Sequence, residues 1–294
     1  MGILQISEVL GNSQLLDGGS MFGNAPKAVW SRWHSPDSQG RINLACRCML
    51  VELNGLKILC ETGIGSYMEP KLKERFGVQE NHHVLLKSLG NLGIDHTEIN
   101  FVILSHLHFD HAGGLLPDFT DLQKGQDDLL FPNATYVVGE EALSRSKSPH
   151  FRDRASFIPG LVEKLHESKR LFIVERDNPK SPDGLEDIQW FFSDGHTPGQ
   201  MLAIFSYGGV KVIFLGDLIP GQSWVHLPIT MGYDRYPELL IDEKAGLYEM
   251  LKGQNWFGFF THDPNIAAAK ILQSSNGRFE PHDVKKSMRR YEFN

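Results

Sequence analysis

Residues 105–114, S-H-L-H-F-D-H-A-G-G, set three imidazoles and a carboxylate close together directly behind the apolar run Phe101-Val102-Ile103-Leu104. A short β-branched and aromatic run closed by glycines reads as a buried strand ending in a tight loop. Such a loop must open at a rigid edge where its polar groups find partners. Burying His106, His108, Asp110 and His111 unpaired would cost several kcal/mol, whereas divalent cations satisfy all four at once. In an extended segment alternate side chains share a side, so His106 and His108 can grip one ion together. Asp110 and His111, past the bend, point at a second position. Nitrogen and carboxylate donors without thiolate suit Zn2+ most readily, with Mn2+, Fe2+ and Co2+ as competitors.

At 294 residues and 41% hydrophobic content the chain can bury a sizeable core, and we read it as one α/β domain over 1–294 with an N-terminal arm at about 12–30. A net charge of -7 argues against nucleic acid as a partner. The start, M-G-I-L-Q-I, has no basic leader pattern, and no later run is long and apolar enough for a membrane span. Three cysteines, Cys46, Cys48 and Cys60, point to free thiols in a reducing compartment, so a soluble, cytoplasmic protein is expected. Cys46 and Cys48 lie in an alternating apolar run and read as strand residues facing one side.

Asn54-Gly55 between 46–53 and 56–60 predicts a two-residue hairpin turn. Helices are expected near 69–76, over 84–92 with Leu85, Leu86, Leu89 and Leu92 on one face, over 140–147 and near 238–251. His82-His83 reads as a solvated helix entry. Strands are expected at 134–138, 171–174, 188–192, 201–207, 210–215 and 256–260, and a last helix at 265–273 with Pro264 in its first turn. The apolar tip Met21-Phe22, between glycine turns, packs onto the body or covers a pocket or a partner subunit. Two sheets face to face with helices outside, an αβ/βα sandwich, is the simplest arrangement.

His106 to His111, His196, Asp217 and His262 each follow an apolar strand closely, and functional groups collect at such edges. The order H-x-H-x-D-H, G-H-T-P-G at 195–199, G-D at 216–217 and H-D at 262–263 resembles the metallo-β-lactamase-fold hydrolase superfamily over nearly the whole chain. That resemblance implies the four-layer αβ/βα sandwich of α+β type and a metal-dependent hydrolase with two divalent ions per chain. His106, His108 and His196 would hold the first ion, Asp110, His111 and His262 the second, and Asp217 would bridge them. F-F-T-H-D-P at 259–264, L-G-D-L at 215–218 and the segments 15–30 and 226–234 resemble the quorum-quenching lactonase branch and its methyl parathion hydrolase-like relatives. The implied substrate is a small lactone or ester, an N-acyl homoserine lactone above all. The implied assembly is a homodimer.

Many superfamily members carry D-T-G after the second strand, where this chain has Glu61-Thr62-Gly63. Glu61 can steady a ligating histidine from behind only if the backbone retreats by about one methylene. The resemblance further implies attack by a metal-bridging hydroxide, with no serine or cysteine nucleophile and with Asp110 carrying a proton to the leaving group. Tyr233, then His226, are the expected oxyanion donors, and Met21, Phe22 and Trp224 are expected at the mouth. A phosphotriesterase or aryl esterase is the alternative, because the same reagent attacks phosphorus. Behind it stand a β-lactamase, an iron persulfide dioxygenase, a nuclease and a metal-dependent binding protein.

Overall fold

The computed structural model describes residues 4–293. In chain order the strands are β1 (Gln5–Leu10), β2 (Gln14–Asp17), β3 (Arg41–Leu44), β4 (Arg47–Leu53), β5 (Leu56–Cys60), β6 (Phe101–Leu104), β7 (Thr135–Gly139) and β8 (Leu171–Val174). They continue with β9 (Gln189–Ser193), β10 (Gln200–Tyr207), β11 (Val210–Phe214), β12 (Asn255–Phe259), β13 (Ala268–Gln273), β14 (Phe279–Lys285) and β15 (Tyr291–Glu292). One sheet runs β15-β1-β4-β5-β6-β7-β8, the other β14-β13-β12-β11-β10-β9, and β2 pairs with β3 in a separate ribbon. Asn54 and Gly55 take φ of 52° and 82°, the left-handed pair that lets β4 turn into β5 within two residues.

Alternation along the strands divides the core into layers. Met49, Val51, Ile58 and Ile103 of the first sheet meet Met201, Ala203, Phe205, Val212 and Phe214 of the second between the sheets. The other face of the first sheet, with Leu50, Leu59, Val102 and Leu104, receives Leu85, Leu89, Leu143 and Leu165 from helices Val84–Asn91, Glu140–Lys147 and Leu161–Glu167. The outer face of the second sheet receives Leu240, Leu247 and Leu251 from helix Pro237–Leu251. The αβ/βα sandwich expected from the sequence is the observed architecture. Among the described residues no helix is long and apolar enough to cross a membrane.

Two expectations are corrected, and a third, left open between alternatives, is resolved. The segment 265–273 is not a helix but leads into β13, paired on both sides by β12 and β14. Asp263 does act like a helix cap, its Oδ1 accepting from the Asn265 and Ile266 amides at 2.9 Å. Pairing with two strands and burial of Ala268, Ala269 and Ile271 outweigh the helix preference of alanine, which is worth under about 1 kcal/mol per residue. His83 is buried rather than solvated, with Nε2 3.1 Å from the Gly114 carbonyl, while His82 is exposed. The tip at Met21-Phe22 packs onto the body: the Phe22 ring stacks with Trp224 and Trp30 at centroid distances of 4.5 and 5.8 Å.

Candidate metal centre

Strand direction explains why residues so far apart in sequence meet. β5 and β6 are parallel, as are β11 and β12, and β9 shares the direction of β11 because β10 is antiparallel to both. The C-terminal ends of these strands therefore deliver Glu61, the 106–111 loop, His196, Asp217 and His262 to one edge. The loop closes tightly on Gly114, where a Cβ would lie 2.0 Å from the Thr62 carbonyl oxygen.

Two sets of donors result. His106, His108 and His196 bring ring nitrogens within 4.8 Å of one another, and so do the donor atoms of Asp110, His111 and His262. Asp217 stands between the sets, with Oδ2 3.2 Å from His196 Nε2 and 3.4 Å from His111 Nε2, and Oδ1 3.2 Å from His262 Nε2. All seven sequence-derived ligand candidates are thus brought together.

Protein hydrogen bonds do not satisfy this cluster. His106 Nε2, His108 Nε2 and Asp217 Oδ1 are buried without a partner. His262 Nε2 faces His111 Nε2 at 3.3 Å, and His196 Nε2 faces His108 Nδ1 at 3.2 Å, so ring nitrogens oppose one another where one proton at most can sit. Cations among these nitrogens and carboxylates would answer His106 Nε2 and Asp217 Oδ1 and separate the opposed ring nitrogens, which is the chemistry divalent metals of the zinc type prefer.

Four of the five imidazoles have their second nitrogen faced from behind, His108 being the exception. His196 Nδ1 lies 2.9 Å from Asp234 Oδ1, His262 Nδ1 2.7 Å from the Ala45 carbonyl, and His106 Nδ1 3.0 Å from Ser105 Oγ. Glu61, in the left-handed region at φ 68°, accepts the Ser105 amide at 2.8 Å and places Oε2 3.3 Å from His111 Nδ1. The backbone twist gives the room that the longer glutamate needs. Gln14 Nε2 donates to Asp110 Oδ2 at 2.8 Å. Asp234, Gln14 and Ser105 were not singled out from sequence, since nothing in their local pattern separates them from ordinary loop and strand residues.

Charge is finely divided here. Burial and neighbouring imidazoles push His106 and His108 well below the ordinary histidine value. Burial also pulls on His111 and His262, but Asp217 and Asp110 outweigh it and hold both well above. Burial would raise the Asp217 carboxyl, yet His111, His262 and His196 keep it well below the usual range. Asp234→Asn is expected to weaken metal affinity about 10- to 100-fold, read by competition with a chromogenic chelator; unchanged affinity would mean that His196 needs no support from this side.

The cluster floors a mostly apolar cavity of about 390 Å³, bordered by Leu16, Met21, Phe76, Phe109, Met231 and Tyr233. Tyr233 and Met21 therefore border the cavity. His226, Phe22 and Trp224 do not: His226 borders a groove with Trp33 and Arg278, while Phe22 and Trp224 are buried against each other. An aromatic pair gains more by stacking in the core than by lining a wet mouth.

A sequence model of the metallo-beta-lactamase superfamily matches residues 41–264, and the chain belongs to that superfamily. It is a metal-dependent hydrolase of that fold. An N-acyl homoserine lactonase from Bacillus thuringiensis is 24% identical over 236 residues, covering 76% of this chain and 82% of that protein. Among solved structures, a probable metal-dependent hydrolase from Staphylococcus aureus superposes with a TM-score of 0.83 at 26% identity, over 100% of this chain and 99% of the other. AidC, a dizinc quorum-quenching lactonase solved with a product, gives 0.71 at 19% identity over 96% of this chain and 95% of its own.

Proposed function

We propose that this protein is a dinuclear lactonase that opens N-acyl homoserine lactones and related small carboxylic esters. His106, His108 and His196 hold one divalent ion, Asp110, His111 and His262 the other, and Asp217 reaches both; Zn2+ suits the donors best. The observation that carries the reading is the convergence of these seven side chains, of which His108, Asp110, His196, Asp217 and His262 line a mostly apolar cavity. Such a pair of ions, when bound, supplies a Lewis acid and ionises water near neutral pH.

The chain's own groups do the rest. Asp110, tethered through Oδ2 to Gln14, keeps Oδ1 to pass a proton to the leaving alkoxide. Burial pushes the Tyr233 phenol up, so it stays protonated and can donate to the developing oxyanion from the cavity wall. Leu16, Met21, Phe76 and Phe109 offer an acyl chain an apolar bed. The similarity to N-acyl homoserine lactonases supports the choice of substrate.

The test is a pH-indicator assay of N-hexanoyl homoserine lactone opening by protein loaded in turn with zinc, manganese and cobalt, beside elemental analysis. Turnover with about two metal equivalents per chain is expected. Absence of lactone turnover with all three metals would overturn the reading, and hydrolysis of paraoxon in its place would move the assignment to phosphotriesters.

A further inference from the structure

One wall of the cavity carries an arginine, Arg152, with Arg145 and Arg235 gathered around the neighbouring Asp153, and nothing in the chemistry above uses them. Arg152 borders the cavity, and its Nη2 donates to the Gly232 carbonyl at 2.8 Å, beside Tyr233. Its guanidinium pairs with no carboxylate among the described residues. Arg235, with only 9% of its side chain exposed, holds Nε 3.7 Å from Asp153 Oδ2 and Nη2 3.4 Å from His150 Nδ1, and its buried Nη1 has no partner. Arg145 binds the same Asp153 oxygen through Nε at 3.0 Å and Nη2 at 2.6 Å. Asp153, also on the cavity wall, is the carboxylate that Arg145 and Arg235 share, and its Oδ1 has no partner. A buried guanidinium donor left unpaired is costly, and guanidiniums match carboxylates in a two-pronged fork.

We propose that this wall is an anion subsite and that the substrate carries, besides the bond that is broken, a free carboxylate received by Arg152. This rests on reading the cavity as an ester- or lactone-opening site and narrows its substrate class. A neutral acyl tail would leave Arg152 with no carboxylate partner.

The experiment compares the 4-nitrophenyl monoester of hexanedioic acid with the 4-nitrophenyl ester of hexanoic acid on metal-loaded protein. The wild type is expected to favour the carboxylated ester by about tenfold or more in kcat/KM, and Arg152→Met to lower that ratio by about tenfold, chiefly through KM, with Arg152→Lys between them. A merely structural loss would lower both esters together and leave the ratio alone. Equal use of the two esters by the wild type, or an unchanged ratio in Arg152→Met, would overturn the subsite. If neither ester nor any lactone reacts, the activity itself is misread, and calorimetric binding of hexanedioate decides the subsite. Weaker binding by Arg152→Met than by wild type supports it, and equal binding ends it.

Discussion

Asp217→Asn is expected to lower kcat/KM for lactone or ester opening by at least about 10³-fold, some 4 kcal/mol of barrier, and to reduce bound metal from two equivalents per chain to one or fewer. The substitution keeps the volume of the side chain and removes its charge. Asp217 is the one ligand candidate that touches both donor sets, through Oδ2 at 3.2 Å to His196 and Oδ1 at 3.2 Å to His262. An amide nitrogen in either place faces imidazole nitrogens that ought to be ligating. His226→Ala is the matched control, because His226 lies in a separate groove; its kcat/KM should stay within about twofold of wild type. Steady-state kinetics and elemental analysis on the same preparations check both, and wild-type turnover by Asp217→Asn would break the link between the bridging position and the chemistry.

What could be read from the sequence was whatever repeats a local rule. A dense histidine loop behind a strand, an Asn-Gly turn and a run of leucines at helical spacing are each decided within about ten residues. Their convergence was readable only through resemblance, since nothing local says that β9, β11 and β12 share a direction. The groups that steady the ligands escaped notice for the same reason. Asp234 is one loop aspartate among several until the fold sets it 2.9 Å from His196. The helix expected at 265–273 failed because a real capping signal at Asp263 was spent on a turn, and pairing between strands decided the rest. Tyr233 and His226 stand seven residues apart on one loop, and only the folded path of that loop shows that one borders the cavity and the other does not.

That path depends on Lys244, buried in helix Pro237–Leu251. Its Nζ donates to the carbonyls of Trp224 and Ile229 at 2.8 Å and of His226 at 3.2 Å, tying down the loop that continues into Met231, Tyr233 and Asp234. Burial pulls its pKa from 10.5 down to about 7, against a smaller opposing pull from Asp234. Two effects of Lys244→Met then compete. Removing the buried charge relieves at most about 5 kcal/mol at pH 7 or below, taking 1.36 kcal/mol per pH unit. Stranding three carbonyls costs about 1–3 kcal/mol each, and the loss also frees the loop that holds His196 in place through Asp234. The second effect should win, leaving the variant less stable by about 2 kcal/mol and with weaker metal binding. The pH dependence separates the two. Between about 7 and 10.5 the unfolded lysine keeps its proton while the folded one has lost it, so wild-type stability climbs with pH across that window and levels off above it. Urea unfolding at pH 7 and pH 9.5 should show that climb in the wild type and a flatter profile in Lys244→Met. Equal slopes would mean that Lys244 keeps its ordinary proton affinity in the fold, with the three carbonyls stabilising the ammonium as well as water does.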